Sequence, residues 1–414
     1  MQRGRSRWRA HAAASAVAVA CAVSAGCGGG GTSASPAKPA NTVRPGTGAS
    51  APSVGSSTAG LPTTGSPAAA CVTQVLGNLT LAQRIGQLFV VGVDGNIAGP
   101  ELTAAERTYH FGSLLLNKTA VGTAALAAQA AAMQKLASSG TGGVRFFIAA
   151  NQEGGRIQQL TGPGFAPMPS EVEQGAWGLS TLRATAAGWG TDLRAAGVNL
   201  DLAPVMDVVP QGAAASNAPI GALDREYGFS PVTNGEHGAA FIQGMAAAGV
   251  MTMAKHFPGL GRVTGNTDFT SDVVDNVTTA SDPYLNSFRA AIGAGVPMVM
   301  IALATYTKID PNELAVFSPT VMRLLRGGLG FGGVIASDDL GQAAAVQAIP
   351  PGTRATGFLT AGGDLITSQT LGPAEQMAAG VLAKASGNAA FRATVDAAAR
   401  HVLAAKQAAG LLPC

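Results

Sequence analysis

Charged and aromatic side chains are both scarce in this chain. Of 414 residues, 12% are Asp, Glu, Lys or Arg and 5% are Phe, Trp or Tyr, while 47% are hydrophobic. That balance excludes a self-repelling disordered chain and calls for a sizeable buried core, in one large domain or two medium ones. The net charge of +3 does not signal nucleic-acid binding. Arg3, Arg5, Arg7 and Arg9 crowd the first ten residues, and without them 22 basic side chains face 23 acidic ones. Also missing are a His/Cys/carboxylate set at metal-ligand spacing, a phosphate-cradling Gly-rich loop and a Gly-x-Ser-x-Gly elbow. No metal or organic cofactor is expected.

Cysteine is rare too, with four in the chain. The Arg-rich start, an apolar stretch over 12–25 too short to span a bilayer, and small residues after it read as an export signal over 1–26. Ser24-Ala25-Gly26-Cys27 resembles a bacterial lipobox, with Cys27 as the lipidated residue and a lipid anchor as the only membrane attachment. Plain secretion with another cleavage point is the alternative. Residues 27–70 form a Gly/Ser/Thr/Pro-rich tether that cannot bury enough apolar surface to fold. As a flexible coil it spans roughly 35–40 Å. Cys71 and Cys414 then bracket the remaining body, 71–414, and in an oxidising compartment a disulfide between them is expected, with two unpaired thiols as the alternative.

From Cys71 onward, apolar runs at 88–93, 111–116, 145–150, 199–203, 250–254, 297–302, 333–337 and 364–368 alternate with Ala-rich helical stretches at 123–139, 182–196, 235–248 and 286–294. Continuous apolar strands separated by helices imply a parallel sheet covered on both faces. Eight such units predict an α/β fold, a (β/α)₈ TIM-type barrel in a single domain. A doubly wound open sheet is the alternative, because periodicity does not report closure.

The chemistry gathers where the runs end. Reading outward, the ends give Asp94, Asn117-Lys118, Asn151-Gln152-Glu153, Asp207, Lys255-His256, Tyr306 and Asp338-Asp339. In a barrel these collect on the C-terminal face. An ammonium and an imidazole after a buried strand need a partner or a ligand, since an unpaired buried charge costs several kcal/mol. Two adjacent carboxylates at 338–339 point different ways, so one faces the pocket while the other caps the next helix; held there, such a group can attack an anomeric carbon. Glu153 and Arg156 read as an internal salt bridge, and Arg225 either grips ligand oxygens or pairs with Asp224 or Glu226. His110, His237 and His401 read as packing or surface residues.

Four motifs, Asn151-Gln152-Glu153-Gly154-Gly155-Arg156, Ala203-Pro204-Val205-Met206-Asp207, Lys255-His256-Phe257-Pro258-Gly259 and Ser337-Asp338-Asp339-Leu340, stand in the order and spacing of glycoside hydrolase family 3. Over about 72–414 the chain resembles that family's single-domain exo-β-N-acetylglucosaminidases. The resemblance implies a retaining mechanism with Asp338 as nucleophile, and Lys255, His256 and Arg225 holding the terminal sugar. Departures accompany it. Asn151 replaces the family's usual Asp as a hydroxyl ligand, and Gln159 stands where an Arg is expected. In the loop after Lys-His-Phe-Pro-Gly the family carries an Asp-x-His acid/base dyad; here Asp268 matches, but Thr270 takes the histidine's place, and a hydroxyl is too weak an acid for that work. Either Asp268 acts alone with a raised pKa, or Asp272 moves in, or the enzyme is slow.

The expected function is release of terminal GlcNAc from peptidoglycan fragments in cell-wall turnover by a monomeric, membrane-anchored lipoprotein of the envelope, acting on a muropeptide or disaccharide. A β-glucosidase is less favoured, since such relatives usually add a second domain. A catalytically impaired sugar-binding lipoprotein fits Thr270 and Asn151, but gains nothing from keeping Asp338.

Overall fold

A computed structural model describes residues 65–94, 99–138 and 140–414. The segments expected as signal and most of the tether, with Cys27, lie outside the described residues. Helix begins at Pro67 (Pro67–Asn78), a few residues inside the expected tether. The local reason is legible: Ser66 caps the Ala69 N–H at 3.2 Å and Pro67 takes the first turn, where its missing N–H costs nothing.

Eight parallel strands close into a barrel. They are β1 (Phe89–Val93), β2 (Ser113–Leu116), β3 (Phe147–Ala150), β4 (Leu200–Asp201), β5 (Met251–Phe257), β6 (Met298–Ile301), β7 (Val334–Asp339) and β8 (Leu365–Ser368). Each pairs with its sequence neighbours, and closure comes from β1 on β8, where Phe89 lies opposite Ile366. Nearly every strand residue is buried, which is why the runs are continuously apolar rather than alternating. The open-sheet alternative is thereby excluded.

Helices follow the strands around the outside, among them Thr123–Gln134, Leu179–Ala195, Pro231–Ala247, Asn286–Gly293, Pro351–Ala361 and Leu371–Gly387. The last helix, Ala389–Ala408, runs against Pro67–Asn78. Cys71 and Cys414 are joined there by a disulfide, with Cα atoms 6.0 Å apart. At the barrel's N-terminal end Lys406, fully buried, donates to Gln87 Oε1 at 2.7 Å, the Gly112 carbonyl at 2.7 Å and the Arg145 carbonyl at 3.0 Å. Among the described residues, no helix is long and apolar enough to cross a membrane.

Three local departures from the sequence reading matter for the site. Strand β4 is two residues long, because Pro204 supplies no N–H to continue the ladder. Strand β5 runs through Phe257, so Lys255 and His256 stand on the strand itself; the Lys255–His256 peptide is cis. Tyr306 belongs to a separate three-stranded sheet of Val274–Thr279, Thr305–Lys308 and Asp310–Leu314 rather than to a barrel-strand end. Its buried hydroxyl donates to the Gly259 carbonyl at 2.8 Å, so it props a turn instead of facing a ligand.

Candidate active site

A cavity of about 350 Å³ opens on the C-terminal face of the barrel, lined by Asn151, Glu153, Arg225, Lys255, His256, Asp268, Asp338 and Asp339. Five separate stretches of chain contribute these side chains.

Glu153 organises one wall. It lies in a short hairpin, Gln152–Gly154 with Ile157–Gln158, that projects just past β3. Gly154 makes the hairpin's close approach possible: its φ is +112°, and a Cβ there would sit 2.1 Å from the Pro169 carbonyl oxygen. The Glu153 carboxylate receives both fork nitrogens of Arg225, Nε at 2.7 Å and Nη2 at 2.8 Å, and the Lys255 ammonium at 2.6 Å. Burial alone would raise its pKa, yet the charges of Arg225 and Lys255 outweigh that and hold the carboxyl well below its usual range. One buried carboxylate thus serves two cations, so the cluster keeps surplus positive charge for a ligand.

This arrangement corrects two sequence expectations. Glu153 does not pair with Arg156, which is exposed; it pairs with side chains 72 and 102 positions further along. Arg225 pairs with neither Asp224 nor Glu226, its guanidinium being taken by Glu153 and, through Nη1 at 2.8 Å, by the Pro219 carbonyl. Lys255 also donates to Asn151 Oδ1 at 2.9 Å. With that oxygen engaged, the amide NH₂ is what Asn151 offers to a ligand. Gln159 lines the same wall.

His256 is oriented from behind. Its Nδ1–H donates to Asp207 Oδ2 at 2.7 Å, which leaves Nε2 as the ring nitrogen for a ligand. Asp207, fully buried, also receives the backbone N–H groups of His256 at 3.2 Å and of Leu260 at 2.7 Å. One carboxylate therefore fixes both the imidazole and the turn after it. That turn needs glycine at 261, where a Cβ would lie 1.9 Å from the Val208 carbonyl oxygen.

The two β7 carboxylates divide their roles. Asp339 is buried and accepts the N–H groups of Gly341 at 2.9 Å, Gln342 at 3.0 Å and Gln369 at 2.9 Å. Asp338 accepts the Asp339 N–H through Oδ1 at 2.8 Å and is half-buried at the cavity.

Asp268 comes in from the loop after β5. Asn266 Oδ1 accepts the Asp268 N–H at 2.9 Å, and the Asn266 carbonyl accepts the Thr270 N–H at 2.8 Å, making a tight local turn. The loop is tied across to the β7 side, where Ala344 N–H donates to the Asp268 carbonyl and Ala345 N–H to the Thr267 carbonyl, both at 3.1 Å. Asp268 lines the cavity although the residue is exposed overall. Desolvation there and then the negative charge of Asp338 raise its pKa, against the lowering effect of His256. Thr270 and Asp272 are exposed and do not line the cavity. The structure thus brings Asp268 to the site and leaves out both neighbours considered with it.

Beneath the floor sit further buried carboxyls. Glu171 accepts the Val205 N–H at 3.1 Å and Asp201 the Gln152 N–H at 3.0 Å; burial raises both pKa values well above the usual range. Their neutral forms carry no charge to compete with Glu153 for the two cations. The three histidines read as packing residues do pack or brace: His237 bridges the Thr233 and Trp177 carbonyls, His401 pairs with Asp364 at 2.7 Å, and His110 ends a helix. Among the described residues, no group of three or more His, Cys, Asp or Glu is placed to hold a metal.

Comparison with known proteins agrees with the barrel architecture. A crystal structure of a β-N-acetylhexosaminidase from Beutenbergia cavernae is 46% identical and superposes with a TM-score of 0.77, covering 80% of this chain and 99% of that one. A family 3 β-N-acetylglucosaminidase from Paenibacillus sp. FPU-7 is 27% identical, with a TM-score of 0.71 over 80% of this chain and 63% of that one. A β-hexosaminidase of Xanthomonas campestris is 33% identical over 285 residues, or 65% of this chain and 82% of its own. Residues 80–405 match the model of the glycosyl hydrolase family 3 N-terminal domain, and the chain belongs to that family.

Proposed function

We propose that this protein is a retaining exo-β-N-acetylglucosaminidase that releases terminal GlcNAc from peptidoglycan fragments. Its standing as a glycoside hydrolase of the β-N-acetylhexosaminidase type rests on the family and on the relatives just described. The observation that carries the mechanism is the pair of carboxyls at one cavity, Asp338 on a rigid strand and Asp268 on the loop across from it, beside a cation and an imidazole.

The terminal sugar is gripped by Lys255, by His256 through Nε2, by the outer edge of Arg225 and by the Asn151 amide. Asp338, as carboxylate, attacks the anomeric carbon and forms a covalent glycosyl-enzyme through an oxocarbenium-like transition state. Asp268 donates its proton to the glycosidic oxygen, so the leaving sugar departs as a neutral alcohol. A water then gives its proton back to Asp268 and attacks the same carbon. Asp338 is freed and the sugar leaves with its original configuration. The raised pKa of Asp268 supports this assignment, since the group must hold a proton in the first step.

Export and lipid attachment at Cys27, at the outer side of the cytoplasmic membrane, are supported by the leader-like residues 1–26 and by a disulfide, which persists in oxidising compartments. The protein works there as a monomer. The deciding experiment is Asp338→Asn assayed on p-nitrophenyl β-GlcNAc and the β-glucoside, together with mass-spectrometric mapping of the adduct from a fluorinated glycoside inactivator. The expected outcome is turnover of the amino-sugar substrate by the native enzyme and not by the variant, with the adduct on Asp338. Undiminished turnover by the variant refutes the reading.

A further inference from the structure

Phe269 is the residue that the reaction chemistry leaves unused. It lines the catalytic cavity, yet 82% of its surface is open to solvent, the most of any large hydrophobic side chain among the described residues. Burying an aromatic ring is worth far more than leaving it in water, so a ring held out at a cavity mouth calls for a partner.

Chain connectivity says where that partner sits. Resting on the assignment of Asp268 as acid, the group next to the Asp268 carboxyl is the glycosidic oxygen, and beyond that oxygen lies the leaving sugar. Phe269 is the next residue. The two tethers from Ala344 and Ala345 fix the loop backbone at 267 and 268, immediately before the ring, so its place at the mouth is set by hydrogen bonds rather than by chance. Depth in the cavity belongs to Lys255, His256 and Asp338, which are polar and suit the retained sugar. At the mouth, Phe269 sets an aromatic ring on a loop whose other residues at 264–272 are polar or glycine. A β-linked pyranose turns axial C–H bonds outward on each face, a weakly positive apolar patch that matches the negative face of an aromatic ring.

We propose that Phe269 is the platform for the leaving group, stacking on the sugar ring joined to the terminal GlcNAc and so selecting pyranose or aryl aglycones over small ones. The ring touches the substrate in the ground state as well as in the transition state, so its contribution appears mainly in KM.

The test compares native enzyme with Phe269→Ala and Phe269→Trp on three substrates sharing one terminal sugar: N,N′-diacetylchitobiose, p-nitrophenyl β-GlcNAc and GlcNAc β-fluoride, whose leaving group is a single atom. Removing the ring is expected to lower kcat/KM about tenfold on the first two, largely through KM, and to change the fluoride by less than about twofold. Phe269→Trp restores both ring-bearing substrates. Because the side chain is exposed, the melting temperature of Phe269→Ala stays that of the native protein. An equal loss on all three substrates would place the ring with the retained sugar, and no loss on the disaccharide would leave it without a substrate role; either result overturns the proposal. Failure of the double-displacement reading shows separately, as retained activity in Asp338→Asn.

Discussion

Replacing Asp268 with Asn tests whether one carboxyl does alone what an Asp-His pair does in the family. The perturbation is local. The Asp268 carbonyl, not its side chain, receives the Ala344 N–H, and the Asn266 cap binds its backbone N–H, so the loop keeps its shape. What disappears is a proton donor. Leaving-group protonation is typically worth about 10²–10⁴ in rate, or about 2.7–5.5 kcal/mol of barrier. The disaccharide, whose leaving alkoxide is strongly basic, should lose that whole range. A dinitrophenyl glycoside departs without a proton and should lose less than about tenfold in the glycosylation step. Native enzyme should already favour aryl glycosides over disaccharides, because Thr270 gives Asp268 no histidine partner.

The pH profile supplies the second half of the assay. Burial and the charge of Asp338 raise the Asp268 pKa, so the protonated form persists to higher pH than an ordinary Asp allows. The kcat/KM for the disaccharide then falls as pH rises through that pKa, and Asp268→Asn removes this alkaline limb. Equal losses on both substrates, or a limb unchanged in the variant, would show that another group protonates the leaving oxygen.

Three further outcomes follow from particular contacts. Glu153→Gln leaves Arg225 and Lys255 buried without their shared anion, which should cost about 3–5 kcal/mol in urea unfolding and raise KM together with lowering kcat; an unaltered KM would detach the cluster from sugar binding. Reducing the Cys71–Cys414 bridge, or replacing both residues by Ser, should lower stability by up to about 5 kcal/mol, since the bridge closes nearly the whole domain, and an unchanged denaturant midpoint under reductant would contradict this. Burial pushes Glu106 up to about 9, so its contribution to stability is present below about 4.5 and is lost as pH rises toward 9. Glu106→Gln should flatten that slope and gain on the order of 1–3 kcal/mol over the native protein at pH 8, as read by thermal melts; a parallel pair of curves would refute it.

How much of this was legible in the chain itself differs from residue to residue. The eight apolar runs became the eight barrel strands, because a strand covered on both faces must be apolar throughout, and that requirement is written locally. Asp338 and Lys255-His256 were legible as polar groups set directly against a buried run, although the strands continue through them to Asp339 and Phe257. Phe269, by contrast, is marked in the sequence only as a lone aromatic in the otherwise polar stretch 264–272.

Sequence by itself determined the strands, their order and the types of chemical group delivered to one face. Tertiary structure alone decided that the sheet closes, that Glu153 answers Arg225 and Lys255 rather than Arg156, that Asp207 steers His256, and that Asp268 enters the cavity while Thr270 and Asp272 stay outside. The physical reason is range. Periodicity and turn chemistry act over a few residues, whereas a buried charge is settled by whichever opposite charge the fold brings within about 3 Å, and at low dielectric that choice outweighs any preference for a neighbour in the chain.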